Sequence, residues 1–285
     1  MKDHKVLITG DYWHPEFRTI VSSFDVPVTL VAIEKIETLS DSRFDLVVIA
    51  QSQRSQFLGD DIEKIHSMFI NTPVVGLLGS WCEGETRSGT PHPGLTRIYW
   101  HQWVGRYDRF VEQLAQSGIT SWHLPRTFSV ADRILADSQL SDASAEIAYV
   151  GISAWTRTQH DMIADAISHF GWQSRWVERA IWDAESSDLI SAICVDADSW
   201  CQDLNRRIQW IRQEIPETPI VLLLNYPRES ELDEIQRAGI SDVISKPFEL
   251  FDLRSALVRS VQQPAAMWSN ANSKRDDSNT LKPLS

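Results

Sequence analysis

A chain of 285 residues with 42% hydrophobic content and 12 tryptophans has the length and apolar mass for two packed domains. Its net charge of −12 argues against an electrostatic grip on nucleic acid or on an anionic membrane surface. No apolar run approaches the roughly 18 residues of a spanning helix, and Val6-Leu-Ile8 is too short for a signal peptide, so a cytoplasmic protein is expected.

In chain order, the first apolar run is Val6-Leu-Ile8, followed by the polar and aromatic group Asp11-Tyr-Trp-His14. Leu46 to Ala50 is a continuous apolar run, which suits a strand buried on both faces of a parallel sheet. Thr72 to Leu78 is a second such strand. The segment Gly79-Ser-Trp-Cys-Glu-Gly-Glu-Thr-Arg-Ser-Gly-Thr-Pro-His-Pro-Gly94 is interrupted by glycine and proline and reads as a loop. It leads to Ile98-Tyr-Trp-His-Gln-Trp103. Residues 115–145 are rich in Ser and Asp, with a short helical pattern from Val130 to Leu135. Further on, Met162, Ile163, Ile167 and Phe170 share one helix face, as do Leu204, Ile208, Ile211 and Ile215. Apolar strands follow at 190–196 and 220–224. Cys82, Cys194 and Cys201 form no Cys-x-x-Cys pair and are expected to be reduced, with Cys194 filling a core.

The pattern occurs twice. Thr72-Pro-Val-Val-Gly-Leu-Leu-Gly-Ser-Trp81 matches Thr218-Pro-Ile-Val-Leu-Leu-Leu-Asn-Tyr-Pro227. The same register sets Phe44–Ala50 on Ile190–Asp196 and Arg97–Trp100 on Val243–Lys246. The first strands match with a small slip, Val6–Trp13 against Ala148–Trp155. Alternation of strand and helix implies parallel sheets with right-handed crossovers. The expected architecture is α/β: two flavodoxin-like domains, each a five-stranded parallel sheet with helices on both faces. Boundaries are placed at 1–116 and 146–263, with a linker at 117–145 and a disordered tail at 264–285.

The run from Ala238 to Leu257 gives a helix end, a glycine, a short strand ending Ser245-Lys-Pro247, and an amphipathic helix from Phe248 to Val261. This run resembles the last third of the receiver (CheY-like) domain of two-component response regulators, and the resemblance covers the second copy. It implies a cis peptide bond before Pro247, with Lys246 contacting a phosphoacceptor aspartate. Asp196 stands at the acceptor position and Asn225 where the family carries Ser or Thr. The family also requires an acidic pair ending strand one to hold Mg²⁺. Here that strand ends Ser153-Ala-Trp155, leaving Asp198 as a weak second carboxylate. In the first copy Ala50 and Trp100 fall at the acceptor and lysine positions, with Asp11 a remnant of the acidic pair. The first copy is therefore expected to be fully degenerate.

The expected function is that of a non-catalytic, tandem receiver-like signalling or adaptor protein working through protein–protein contacts, with no cofactor. Its partner would be a histidine kinase or a transcription or signalling component, met through the Phe248–Val261 helix and the strand before it. In that reading Asp196 and Lys246 form an ion pair in an inherited pocket. The alternative is a phosphoacceptor regulator in a phosphorelay, with Asp196 phosphorylated, Lys246 and Asn225 sensing the phosphate, and Mg²⁺ required.

A further alternative places a small-molecule sensor or enzyme site at the Trp-rich segment 79–103. Ligands bind open parallel sheets beyond the strands' carboxyl ends, where Trp13, His14, Trp81, Glu83, Glu85, Arg87, His92, Trp100, His101 and Trp103 would gather. The competing readings are a partner interface and a loop that packs on its own domain. No Gly-x-Gly-x-x-Gly or Walker loop is present.

Overall fold

In the computed structural model, the residues described are 4–39, 42–85, 89–128, 132–133, 147–178 and 189–262. The chain divides into two compact units, Met1–Asp142 and Ala143–Ser285. The helical pattern read over Val130–Leu135 and the tail from Pro264 lie outside the described residues, except for 132–133.

The first unit runs β1 (Val6–Gly10), α1 (Pro15–Ser23), β2 (Val28–Val31), β3 (Leu46–Gln51), α2 (Gly59–Met68), β4 (Val74–Leu78), β5 (Thr96–Tyr99) and α3 (Trp103–Ser117). The second runs β6 (Tyr149–Ser153), α4 (Arg157–His169), β7 (Gln173–Trp176), β8 (Ile190–Ala197), α5 (Gln202–Glu214), β9 (Ile220–Asn225), α6 (Glu229–Arg237), β10 (Asp242–Lys246) and α7 (Leu250–Gln262). All pairings are parallel, and the sheets have orders β2-β1-β3-β4-β5 and β7-β6-β8-β9-β10, the same topology twice.

Burial explains the continuous apolar runs. Every residue of β1, β3 and β4 is buried, because helices cover both faces of the sheet. In the second unit alternate strand residues feed opposite cores. Val150, Ile152, Cys194, Val221 and Leu223 pack toward α4 and α7. Ile193, Val195, Leu222 and Leu224 pack toward α5 and α6. Local signals set the helix ends. Thr156 and Gln159 form a capping box at the start of α4, and Gly118 ends α3 with φ of 73°, a conformation that favours glycine.

Pairing settles the register between the copies. Ala50 lies beside Leu77 and Asp196 beside Leu223, which keeps Ala50 equivalent to Asp196. Tyr99 lies beside Leu78 and Ser245 beside Leu224, so Trp100 corresponds to Lys246. The first strands need a correction of two residues. Gly10 pairs with Ala50, whereas Ser153 pairs with Val195. Carried one residue further, that register sets Ala154 beside Asp196. Asp11, not Trp13, is therefore the counterpart of Trp155. An apolar run slides freely in a sequence comparison, but the neighbouring strand fixes it.

The start of the segment read as a linker belongs to the first unit's packing. Thr120 and Ser121 are buried, Trp122 stacks on Phe110 with ring centroids 4.7 Å apart, and Arg126 reaches Glu63 of α2 at 2.6 Å.

Candidate functional site

The carboxyl ends of β8, β9 and β10 bring the second unit's charged groups together. Asp196 ends the apolar run of β8 with its side chain 5% exposed, and Lys246 reaches it from the end of β10, Nζ to Oδ1 2.8 Å. Asp198, outside the strand, stands 3.8 Å from the same ammonium. The Asn225 amide donates to Asp198 at 3.3 Å. The Lys246–Pro247 peptide bond is cis, as the resemblance implies.

Sequence reasoning missed Arg207. From α5 its guanidinium donates to the backbone carbonyl of Asp196 at 2.5 Å and lies 4.1 Å from the centre of the Trp155 ring. Its Nε and Nη1 are buried without a hydrogen-bond partner among the described residues. Burial pushes the guanidinium down to about 10, against the pull of the Asp196 charge; it stays protonated at neutral pH. The available signal was slight: Arg207 sits beside the apolar stripe of α5, next to Leu204 and Ile208.

The first unit closes the same end without the pair. Ser52 Oγ donates to Asp11 Oδ2, and Ser52 N donates to Gln56 at 2.9 Å. Glu16 accepts the backbone N–H of Ser80 at 2.9 Å. Gly79 makes room for that carboxylate, since a Cβ there would come within 2.5 Å of Glu16 Oε2. Trp100 is buried at the lysine position and donates to Ser80 Oγ at 3.0 Å.

The Trp-rich segment divides into buried and exposed members. Trp103 is fully buried, stacked on Tyr107 at 5.7 Å. Glu85 is buried as the partner of Arg97 at 2.7 Å. His101 pairs with Glu83 at 3.2 Å, and His92 lies 3.4 Å from Glu63. His14 caps α1, its Nδ1 accepting from Glu16 N at 3.4 Å. Trp13 and Trp81 are 59% and 73% exposed. Arg54, also missed, clamps the loop by donating to the carbonyls of Trp81 and Glu83 at 3.1 and 2.7 Å. Arg87 lies outside the described residues.

The donor set does not fit Mg²⁺. That ion asks for a near-octahedral set of oxygens supported by carboxylates. The second unit supplies Asp196, already paired, and the outlying Asp198. Ala154 and Trp155 follow β6 directly, and the Arg207 guanidinium lies over the Trp155 ring. Asp11, the other weak candidate, is in the first unit and bonded to Ser52. Among the described residues no group of three or more His, Cys, Asp or Glu could hold a metal ion.

No protein-family model and no curated protein matches the chain. Among solved structures, a pilus assembly-related protein of Burkholderia pseudomallei is 16% identical over 43% of this chain and 96% of its own, with a TM-score of 0.36. The chemotaxis protein CheY4 of Vibrio cholerae is 16% identical over 40% of this chain and 98% of its own, at 0.34. The receiver domain of a sensor histidine kinase of Pseudomonas aeruginosa is 19% identical over 40% and 98%, also at 0.34. The fold rests on the chain's own topology. By all-parallel pairing and strand order, the chain is a tandem pair of five-stranded domains, each with the CheY-type flavodoxin fold.

Proposed function

We propose that this protein is a non-catalytic, cytoplasmic signalling or adaptor protein whose receiver-like domains work through protein–protein contacts. One observation carries the reading: the acceptor-like carboxylate of Asp196 is engaged by Lys246 at 2.8 Å while an alanine and a tryptophan stand where an acidic pair would be needed. A phosphoryl group arriving there would meet a buried carboxylate with no metal to share its charge. In the first unit Ala50 offers no nucleophile. What remains for output is surface, and the end of β10 with α7, opened by the exposed Leu250, is the contact face we favour. A histidine kinase or a transcription or signalling component is the class of partner.

The same pair also supports a second reading, in which Asp196 accepts a phosphoryl group and Lys246 senses it. Intact-mass measurement after incubation with acetyl phosphate and MgCl₂ decides between them. An unchanged mass is expected. A phosphate adduct that disappears in Asp196→Asn would establish the acceptor and sink the non-catalytic reading. The Trp-rich segment gives weaker support to a ligand site, because Glu85, Trp100 and Trp103 are buried in their own domain.

A further inference from the structure

The second unit buries a carboxylate at the end of β8 and packs a second cation, besides Lys246, against the same residue. We propose that Arg207 is the resident cation of this site: stacked on Trp155 and bonded to the Asp196 carbonyl, it fills by its own charge the place a divalent ion would take, so the site is complete without metal. The inference rests on the reading of Asp196 as a carboxylate held in a fixed pair, and it names what holds it.

Three observations converge. The register makes Trp155 the counterpart of Asp11, so one copy presents a carboxylate at the end of its first strand and the other an indole. An indole face attracts a guanidinium, and the separation of 4.1 Å is well within the range of that attraction. Finally, the guanidinium donates to the backbone carbonyl of Asp196 at 2.5 Å. Among the described residues its Nε and Nη1 find no hydrogen-bond partner, which is a desolvation cost. Attraction to Asp196 and the stack on Trp155 offset it. Arg207 is thus a positioning residue, acting on Asp196 through charge and through its backbone.

The arrangement excludes a divalent ion in two ways: the ring supplies no oxygen donor, and the guanidinium repels a second cation. Restoring the carboxylate alone should not admit metal, since Arg207 would pair with it. Removing the guanidinium as well should. The test is therefore the melting midpoint of the full chain with and without MgCl₂, for wild type, Trp155→Asp, and Trp155→Asp with Arg207→Ala. We expect no response in the first two and a rise in the third, corresponding to roughly a tenfold or greater gain in Mg²⁺ affinity. Equal Mg²⁺ responses in single and double variants would overturn the proposal, as would a folded double variant blind to metal. If the double variant fails to fold, Trp155→Asp with Arg207→Lys keeps a cation on the same helix. It should fold and stay blind to Mg²⁺; failure on either count overturns the proposal. The outcomes separate from those of the phosphodonor experiment. Metal binding by the wild type, lost in Asp196→Asn, would sink this inference even with no phosphate transferred. A phosphate adduct formed without divalent metal would sink the proposed function and leave Arg207 in place.

Discussion

The two units fold the same sheet and finish the same end of it with opposite chemistry. In the second, the Lys246 ammonium pairs with the Asp196 carboxylate and Arg207 donates to the carbonyl of the same residue. In the first, Ala50 removes the buried anion and Trp100 replaces the ammonium with an indole bonded to Ser80. The contrast teaches that the residues ending the third and fifth strands of each sheet are coupled. A buried carboxylate needs its cation, and a buried cation needs its carboxylate. One copy holds both charges and the other neither, with an aromatic ring at the second position.

The coupling can be broken by exchange. Trp100→Lys in the first unit would open a cavity and leave an ammonium facing Ala50. A cost of about 4 kcal/mol is expected, read as faster hydrogen exchange of β4 and β5 amides. Adding Ala50→Asp should return about 1–2 kcal/mol of it, a coupling that independent sites would lack. In the second unit Lys246→Met leaves Asp196 buried with its neutralising contact gone. About 2–3 kcal/mol should be lost, less than for a fully enclosed pair because Lys246 is 20% exposed. Equal tolerance of Lys246→Met and of a surface lysine change would remove the contrast between the units.

Much of this was legible in the chain. The Thr-Pro repeat set the register of three strands in each copy and missed that of the first by two residues, and the Lys-Pro break marked the end of β10. Reading Ala50 and Trp100 against Asp196 and Lys246 required only that register. What could not be read was set by contacts distant in sequence. Arg207 meets Trp155 and the Asp196 carbonyl only after β6, β8 and α5 assemble, and its helix pattern marks it as one more polar residue beside a stripe. Composition suggested that the Trp-rich segment forms a rim. Burial of Trp103 depends on Phe24, Tyr107 and Trp122, which nothing in the segment itself reveals.

A smaller difference concerns pH. The first unit pins α2 to two other segments through Glu63, His66, His92 and Arg126. Burial, with Arg126 adding to it, lowers His66 to about 4 from an ordinary 6.5. Between those values the unfolded chain holds a proton on His66 that the folded unit does not. Stability therefore rises with pH across that window and falls as the solution is acidified from 6.5 toward 4. For this half-buried ring, with solvent screening allowed for, the loss is on the order of 1 kcal/mol. Below 4.5 the protonation of Glu63, held down to about 2 first by its hydrogen bonds with Arg126, removes a further contribution. Denaturation midpoints at pH 7 and 5 should differ for the wild type and differ less in His66→Phe, where His123, also lowered by burial, still responds. A pH response that persists unchanged in His66→Phe would place the sensitive group elsewhere.

The smallest expected effect on stability falls on the most conspicuous side chains. Trp81 is 73% exposed, and what the loop needs from it is its backbone carbonyl, held by Arg54. Trp81→Ala should therefore shift stability by less than about 0.5 kcal/mol, since an exposed ring gives up little burial when removed. The same should hold for Trp13→Ala. Acrylamide quenching offers an independent check: the two substitutions together should remove much of the accessible tryptophan emission of the first unit, leaving that of the buried Trp100 and Trp103 and the half-buried Trp122. A large stability loss on either substitution would mean that the ring packs against its own domain, as Trp103 does. A negligible loss leaves the ring without a structural reason for its size.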